Sequence, residues 1–83
     1  MKGYKHRFDA KGLKAFGIHF KQLRNAKGIS QEELANLSKV GESVIQKIEY
    51  GTTNTTLSTL MALSRALKIP MKELCDVKVP LEK

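Results

Sequence analysis

A small all-α domain of five helices is the fold that the sequence predicts, and three observations carry the prediction. Apolar residues recur at steps of three and four over Leu13, Phe16, Phe20 and Leu23, and again over Leu57, Leu60, Met61, Leu63 and Leu67, which places each set on one helical face. Ser30-Gln31-Glu32-Glu33 has the form of a capping box, a helix start signal. No strand-rich region, internal repeat or low-complexity segment interrupts these patterns. With 83 residues and 41% hydrophobic content, the chain makes one folded domain rather than two, or a disordered segment. A core this small is marginal by itself, and oligomerisation is one way to add buried area.

The elements follow in order. Residues 1–12 carry Lys2, Lys5, Arg7 and Lys11 and read as a basic N-terminal arm. The first helix is expected from about Leu13 to Ala26, with Lys14, Lys21, Gln22 and Lys27 largely off its apolar stripe and Gly28 as its stop. The second starts after the Ser30 cap and ends near Ser38, with Leu34 and Leu37 as its buried face. After the turn Lys39-Val40-Gly41, the third runs from Glu42 to Tyr50, with Val40, Ile45 and Ile48 as core contacts and Gly51 as terminator. About three residues separate the second and third helices, too few for an antiparallel pair lying flat together. That spacing suits a helix-turn-helix with strongly crossed axes. Thr52 to Thr56 is a polar loop whose last residue can cap a fourth helix from Leu57 to Lys68, stopped by Ile69-Pro70. Met71 to about Asp76 reads as a short fifth helix. Residues 77–83 form an extended tail in which Pro80 rules out a central strand. The folded domain is thus expected over residues 13–76.

Fifteen Lys and Arg against eight Asp and Glu leave a net charge of +7, which makes polyanions the natural partners, either nucleic acid or an anionic membrane surface. The membrane is the weaker choice. No apolar run approaches the roughly 18 residues of a span, and the arm's basic residues lack an amphipathic helix with bulky anchors. Cys75 is the only cysteine, so no internal disulfide can form, and its apolar helical setting predicts buried packing. One Cys with His6 and His19 is too few for a zinc site, and no metal or other cofactor is expected. The N-terminus has no signal-peptide apolar region, which points to the reducing cytoplasm. There is no Ser-His-Asp or Cys-His-Asn set, no Gly-rich phosphate loop and no HExxH, so an enzyme is not expected. His19 is expected to pack or face solvent.

The run Leu23-Arg24, Gly28-Ile29-Ser30-Gln31-Glu32-Glu33-Leu34-Ala35, Val40, Ile45, Ile48-Glu49-Tyr50-Gly51 and Thr56-Leu57-Ser58-Thr59-Leu60 resembles the lambda-repressor-like helix-turn-helix family, also called the Cro/C1 or XRE type. The likeness spans about residues 13–74, and the combined pattern is far more specific than the Ser-Gln-Glu-Glu-Leu-Ala stretch alone. It implies a five-helix DNA-binding domain whose second and third helices form the reading unit. By the same resemblance, Gln31 contacts a backbone phosphate, Glu42, Ser43, Gln46 and Lys47 face base edges, and Arg24 pairs with Glu49 as a structural ion pair. The sequence departs from the family's pattern at three places. Lys39 stands where Gly is common, Gly41 where Ser or Thr is commoner as a cap, and Thr55 where Pro is usual.

The placement of the residues fits what the resemblance implies, although a solvated surface and an ordinary polar turn would look the same without it. Side chains near the N-terminus of a groove-bound helix reach base edges, and Glu42, Ser43, Gln46 and Lys47 lie on the face opposite Ile45 and Ile48. Gln46 can contact adenine bidentately, and Lys47 can donate to guanine or to a phosphate. Ser43 is undiscriminating. Glu42 can either accept from the cytosine amino group or simply complement the helix dipole. The Thr52–Thr56 loop, with Thr53, Asn54 and Thr55, can hydrogen-bond phosphate oxygens, and Lys39 joins Gln31 in that set.

Charge is unevenly placed. Residues 1–14 hold five Lys or Arg against one Asp, whereas residues 30–50 hold two Lys against four Glu. Attraction to DNA must come mainly from the arm and the first helix. The arm either lies along the DNA backbone or is a solvated tail.

One recognition helix reads only about four or five base pairs, so a homodimer reading two half-sites about 34 Å apart is expected. Its candidate interface is the C-terminal end, with Leu67, Ile69, Met71, Leu74 and Cys75, joined by Val77 and Leu81; the alternative is that these finish the chain's own core, as some of them must. The reading is a transcriptional regulator, a repressor, of a short palindromic operator in double-stranded DNA. A prophage repressor, an antitoxin and a restriction–modification controller are not separated at this level. The competing reading is a protein-interaction module, such as an antitoxin that also binds a partner protein.

Overall fold

Helix-capping chemistry sets the outline of the fold. The computed structural model describes residues 8–80, in which five helices and no strands are present. Helix α1 spans Ala10–Ala26, starting three residues earlier than its apolar spacing predicts. The reason is Asp9, whose carboxylate accepts from the Gly12 amide at 2.8 Å and so caps the helix ahead of its apolar stripe. Lys11, expected in the arm, is therefore on the surface of α1. Lys2, Lys5, His6 and Arg7 lie outside the described residues.

Helix α2, Gln31–Ser38, opens with the expected capping box. The Glu33 amide donates to Ser30 Oγ at 3.0 Å, and the Ser30 amide donates to Glu33 Oε1 at 2.7 Å. Its core-facing stripe is Gln31, Leu34, Ala35 and Ser38, of which Leu34 is fully buried. Leu37 falls beside that stripe and is 62% exposed, so it does not share the buried face with Leu34 as expected.

Lys39 ends α2 in the left-handed conformation, at φ 62°. Helix α3, Glu42–Tyr50, follows from Gly41 and buries Ile45, Ile48 and Glu49. Gly51, at φ 76°, closes it. The Gly51 amide donates to the Ile48 carbonyl and the Thr52 amide to the Lys47 carbonyl, which satisfies the helix end.

Helix α4 spans Leu57–Leu67, capped by the Thr56 hydroxyl, which accepts from the Thr59 amide at 3.1 Å. Its buried face is Leu60, Leu63, Ser64 and Leu67. Leu57 and Met61, expected on that face, point away from it and are exposed. Ser64 takes a core position because its hydroxyl donates to the Ile69 carbonyl at 2.6 Å, which removes the cost of burying it. Lys68, again left-handed, turns the chain into α5, Met71–Leu74, a single turn that stops short of the expected end at Asp76. Cys75 lies just beyond α5 and is exposed, which corrects the expectation that it packs inside.

The core gathers Phe20, Leu34, Ile45, Ile48, Leu63, Leu67, Ile69 and Leu74. Helix α1 lies against α3 and α5, α2 against α3 and α4, and α4 against α5. The third helix is thus braced along one side while its other side stays free. Among the described residues no helix is long and apolar enough to cross a membrane, and no group of three or more His, Cys, Asp or Glu could hold a metal ion.

Candidate nucleic-acid interface

The pose of α3 is set by backbone contact with α1. A Cβ placed on Gly17 would lie 2.4 Å from the Ile48 carbonyl oxygen and 2.7 Å from that of Glu49. At the end of α3, a Cβ on Gly51 would lie 2.6 Å from the Lys14 Cα, in addition to the strain of its positive φ. Glycine at both positions lets the two helices touch backbone to backbone. It also sets the exposed Lys14 beside the loop that follows α3.

A buried ion pair ties the same helices together. Arg24 on α1 donates from Nε to Glu49 Oε2 at 2.6 Å and from Nη2 to Glu49 Oε1 at 3.0 Å, and its Nη1 donates to the Ile29 carbonyl at 2.9 Å. The two side chains are only 9% and 3% exposed. The hydrogen bond to Glu49 raises the Arg24 pKa above its ordinary value, burial opposes that rise, and the Glu49 charge reinforces it. A raised basic pKa contributes stability that is complete below the unfolded value and is lost only as pH climbs through the folded one, far into alkali. The Arg24 contribution is therefore insensitive to pH across the neutral range. No buried side-chain nitrogen or oxygen among the described residues lacks a hydrogen-bond partner.

Opposite this anchored side, Glu42, Ser43 and Lys47 are exposed and Gln46 is half-buried. They form one outward face of α3, the arrangement that base reading requires. The remaining predicted contact residues frame it. Lys39 is exposed in the turn before α3, while Thr53 and Thr55 are half-buried and Asn54 exposed in the loop after it. That loop lies over a cleft of about 130 Å³, whose apolar walls are Leu13, Phe16, Ile48 and Leu60. Gln31 is half-buried, and its Nε2 donates to Glu49 Oε1 at 2.8 Å, a bond that sequence reasoning missed. Tyr50, 70% exposed at the end of α3, was also unassigned, since apolar spacing gives an outward aromatic no signal. His19 is half-buried, with Nε2 at 3.0 Å from the Glu73 carbonyl.

The expected dimer surface needs correction. Leu67, Ile69 and Leu74 are 2%, 7% and 0% exposed and belong to the chain's own core, because one-turn α5 closes the domain with them. Of that set only Met71, half-buried, and Cys75 retain surface. Val77 is half-buried, and Leu81 lies outside the described residues.

A short helix crossed over its predecessor, with a polar outward face and an anchored inward one, defines a helix-turn-helix DNA-binding protein. Comparison with known proteins specifies the family. The helix-turn-helix family model HTH_3 matches residues 20–74. An uncharacterised HTH-type transcriptional regulator from Sinorhizobium fredii is 36% identical over 61 residues, covering 74% of this chain and 79% of that protein. The crystal structure of the restriction-modification controller protein C.AhdI from Aeromonas hydrophila superposes with a TM-score of 0.73 at 42% identity, covering 75% of this chain and 94% of that one. The controller protein C.Esp1396I, crystallised as a tetramer with its natural 35-base-pair operator, superposes at 0.66 with 27% identity, covering 75% and 92%. The chain belongs to the Cro/C1-type (XRE) helix-turn-helix family, a family of DNA-binding regulators rather than enzymes.

Proposed function

We propose that this protein is a transcriptional regulator, acting as a repressor, that binds a short palindromic operator as a homodimer with α3 in the major groove. The observation that carries the reading is the face of Glu42, Ser43, Gln46 and Lys47 on a helix whose other side is fixed to α1 by Gly17, Gly51 and the Arg24–Glu49 pair. In this reading those four residues contact base edges, and Gln31, Lys39, Thr53, Asn54 and Thr55 contact phosphates on either side. The net charge of +7, with Lys11 and Lys14 exposed on α1, supplies attraction that the acidic reading unit lacks.

Of the roles open to such a regulator, we favour the controller of a restriction–modification system. The likeness to C.AhdI, at 42% identity over nearly that whole chain, supports it. The homodimer contact uses side chains that the monomer leaves on its surface, Met71 and Cys75 among them. The cytoplasm is the compartment such a role requires.

The test is selection of sites from a random duplex DNA library, followed by titration of the winner at two salt concentrations. An enriched inverted repeat with half-sites about one helical turn apart is expected, with affinity falling steeply as salt rises. No enrichment, with weak binding that depends on salt alone, would overturn the operator reading and bring the partner-protein reading forward.

A further inference from the structure

The Gln31–Glu49 bond joins a residue proposed to touch DNA to one buried in the scaffold. Gln31 is the first residue of α2, and Glu49 lies 18 positions later in α3. Only the amide nitrogen of Gln31 can face a carboxylate, because its carbonyl oxygen would be repelled, so chemistry fixes which way the amide is turned. One of its two N–H groups is spent on Glu49 Oε1. The trigonal nitrogen therefore turns the second N–H away from the carboxylate, and no described group accepts it. Gln31 is half-buried, so the residue keeps a share of surface at the start of α2.

We infer that Glu49 is a positioning residue for DNA binding: its buried carboxylate, held by Arg24, orients the Gln31 amide to donate its second N–H to a backbone phosphate. This rests on the DNA-binding reading above. Three features of the cluster favour it. Glutamine has a rotamer-rich side chain, and ordering it before binding removes an entropic penalty from the complex. Glu49 is 97% shielded and its charge is answered by two bonds from Arg24, so it can serve as acceptor close to a polyanion without repelling it. The same Arg24 holds the Ile29 carbonyl, two residues before Gln31, so the backbone and the side chain at the start of α2 are fixed from one centre. The ion pair then has two outputs, the stability of the domain and the aim of a phosphate contact.

The experiment is a double-mutant cycle on operator affinity. The buried pair is replaced by apolar residues of similar volume, Arg24→Met/Glu49→Met, an exchange that buried ion pairs often tolerate. Gln31→Ala is made in both backgrounds, and circular dichroism at the assay temperature verifies folding. In the unmodified background Gln31→Ala is expected to weaken binding roughly tenfold or more per protomer, as befits a hydrogen bond to a charged group. The Met pair should show a similar loss, and Gln31→Ala should add little to it. Full additivity, or a Met pair that binds like the unmodified protein, overturns the inference.

Should the Met pair fail to fold, the unmodified protein decides by nuclear magnetic resonance of the Gln31 side-chain amide. One of its two amide protons is expected to be protected from exchange and displaced from its solvated shift in the free protein. Two protons that both exchange freely at the shifts of a solvated glutamine overturn the orientation. A protein that selects no DNA site at all defeats the DNA-binding reading itself, whereas additivity in a protein that does bind defeats only the role of Glu49.

Discussion

Gly17→Ala isolates the contact that poses the recognition helix. The added methyl group would sit 2.4 Å from the Ile48 carbonyl oxygen and 2.7 Å from that of Glu49, whereas ordinary contact begins at 3.4 Å. The obstructing atoms are backbone, so no side chain can rotate out of the way, and α1 must draw back from α3 by about 1 Å. Alanine gains about 1 kcal/mol over glycine in a helix interior, while overpacking against rigid neighbours costs about 1–3 kcal/mol, here at the upper end. The net destabilisation is about 1–2 kcal/mol, which for a domain of this size lowers Tm by about 5–15 °C. Thermal melts followed by circular dichroism measure it. Gly41→Ala is the control, since a Cβ there meets only Val44 Cγ2 at 3.9 Å, and it should shift stability by less than about 1 kcal/mol. A Gly17→Ala protein that melts at or above the unmodified one would refute the close approach and the argument built on it.

Further outcomes follow from the same geometry. Arg24→Ala leaves Glu49 buried without its cation and is expected to cost about 3–5 kcal/mol, read from the urea midpoint. Ser30→Ala removes one half of the capping box and should cost about 1 kcal/mol in the same assay. Lys39→Gly relieves a left-handed lysine and should raise stability by about 0.5–1 kcal/mol, while the slope of log affinity against log salt falls by about 1 if Lys39 meets a phosphate. Lys68→Gly, at φ 59°, should give a similar gain in stability with the slope unchanged, which separates the two effects.

How much was readable in advance depends on whether the signal was local. Helices α2 and α3 end where Ser30, Lys39 and Gly51 say they do, because capping and left-handed termination act within a few residues. The start of α1 was misplaced for the same reason in reverse. Its apolar stripe begins at Leu13, and attention to that stripe hid the Asp9 cap. Leu37, Leu57 and Met61 show the limit of periodicity, which says that a helix has an apolar side but not where its edge lies once neighbours are in place. Cys75 was placed inside by extending α5 beyond the single turn it makes. Which of Leu67, Ile69, Met71, Leu74 and Cys75 finish the chain's own core and which face a partner stayed open in the sequence, because the length of core needed to close the domain is not visible in one dimension. The outward side of α3, with Glu42, Ser43 and Lys47 exposed, was legible because it is the complement of Ile45 and Ile48. The Gln31–Glu49 bond was not, since it exists only after two helices cross.

Because α3 is seated on α1 through main-chain atoms at Gly17 and Gly51, its seat does not depend on which side chains its free face carries. On the proposed reading, Ile45 and Ile48 serve the scaffold of this nine-residue helix, Glu42, Ser43, Gln46 and Lys47 the target, and Glu49 alone serves both. Such a division lets a lineage exchange its operator by a few substitutions without refolding, and it makes the outward face of α3 a natural place to graft a new specificity.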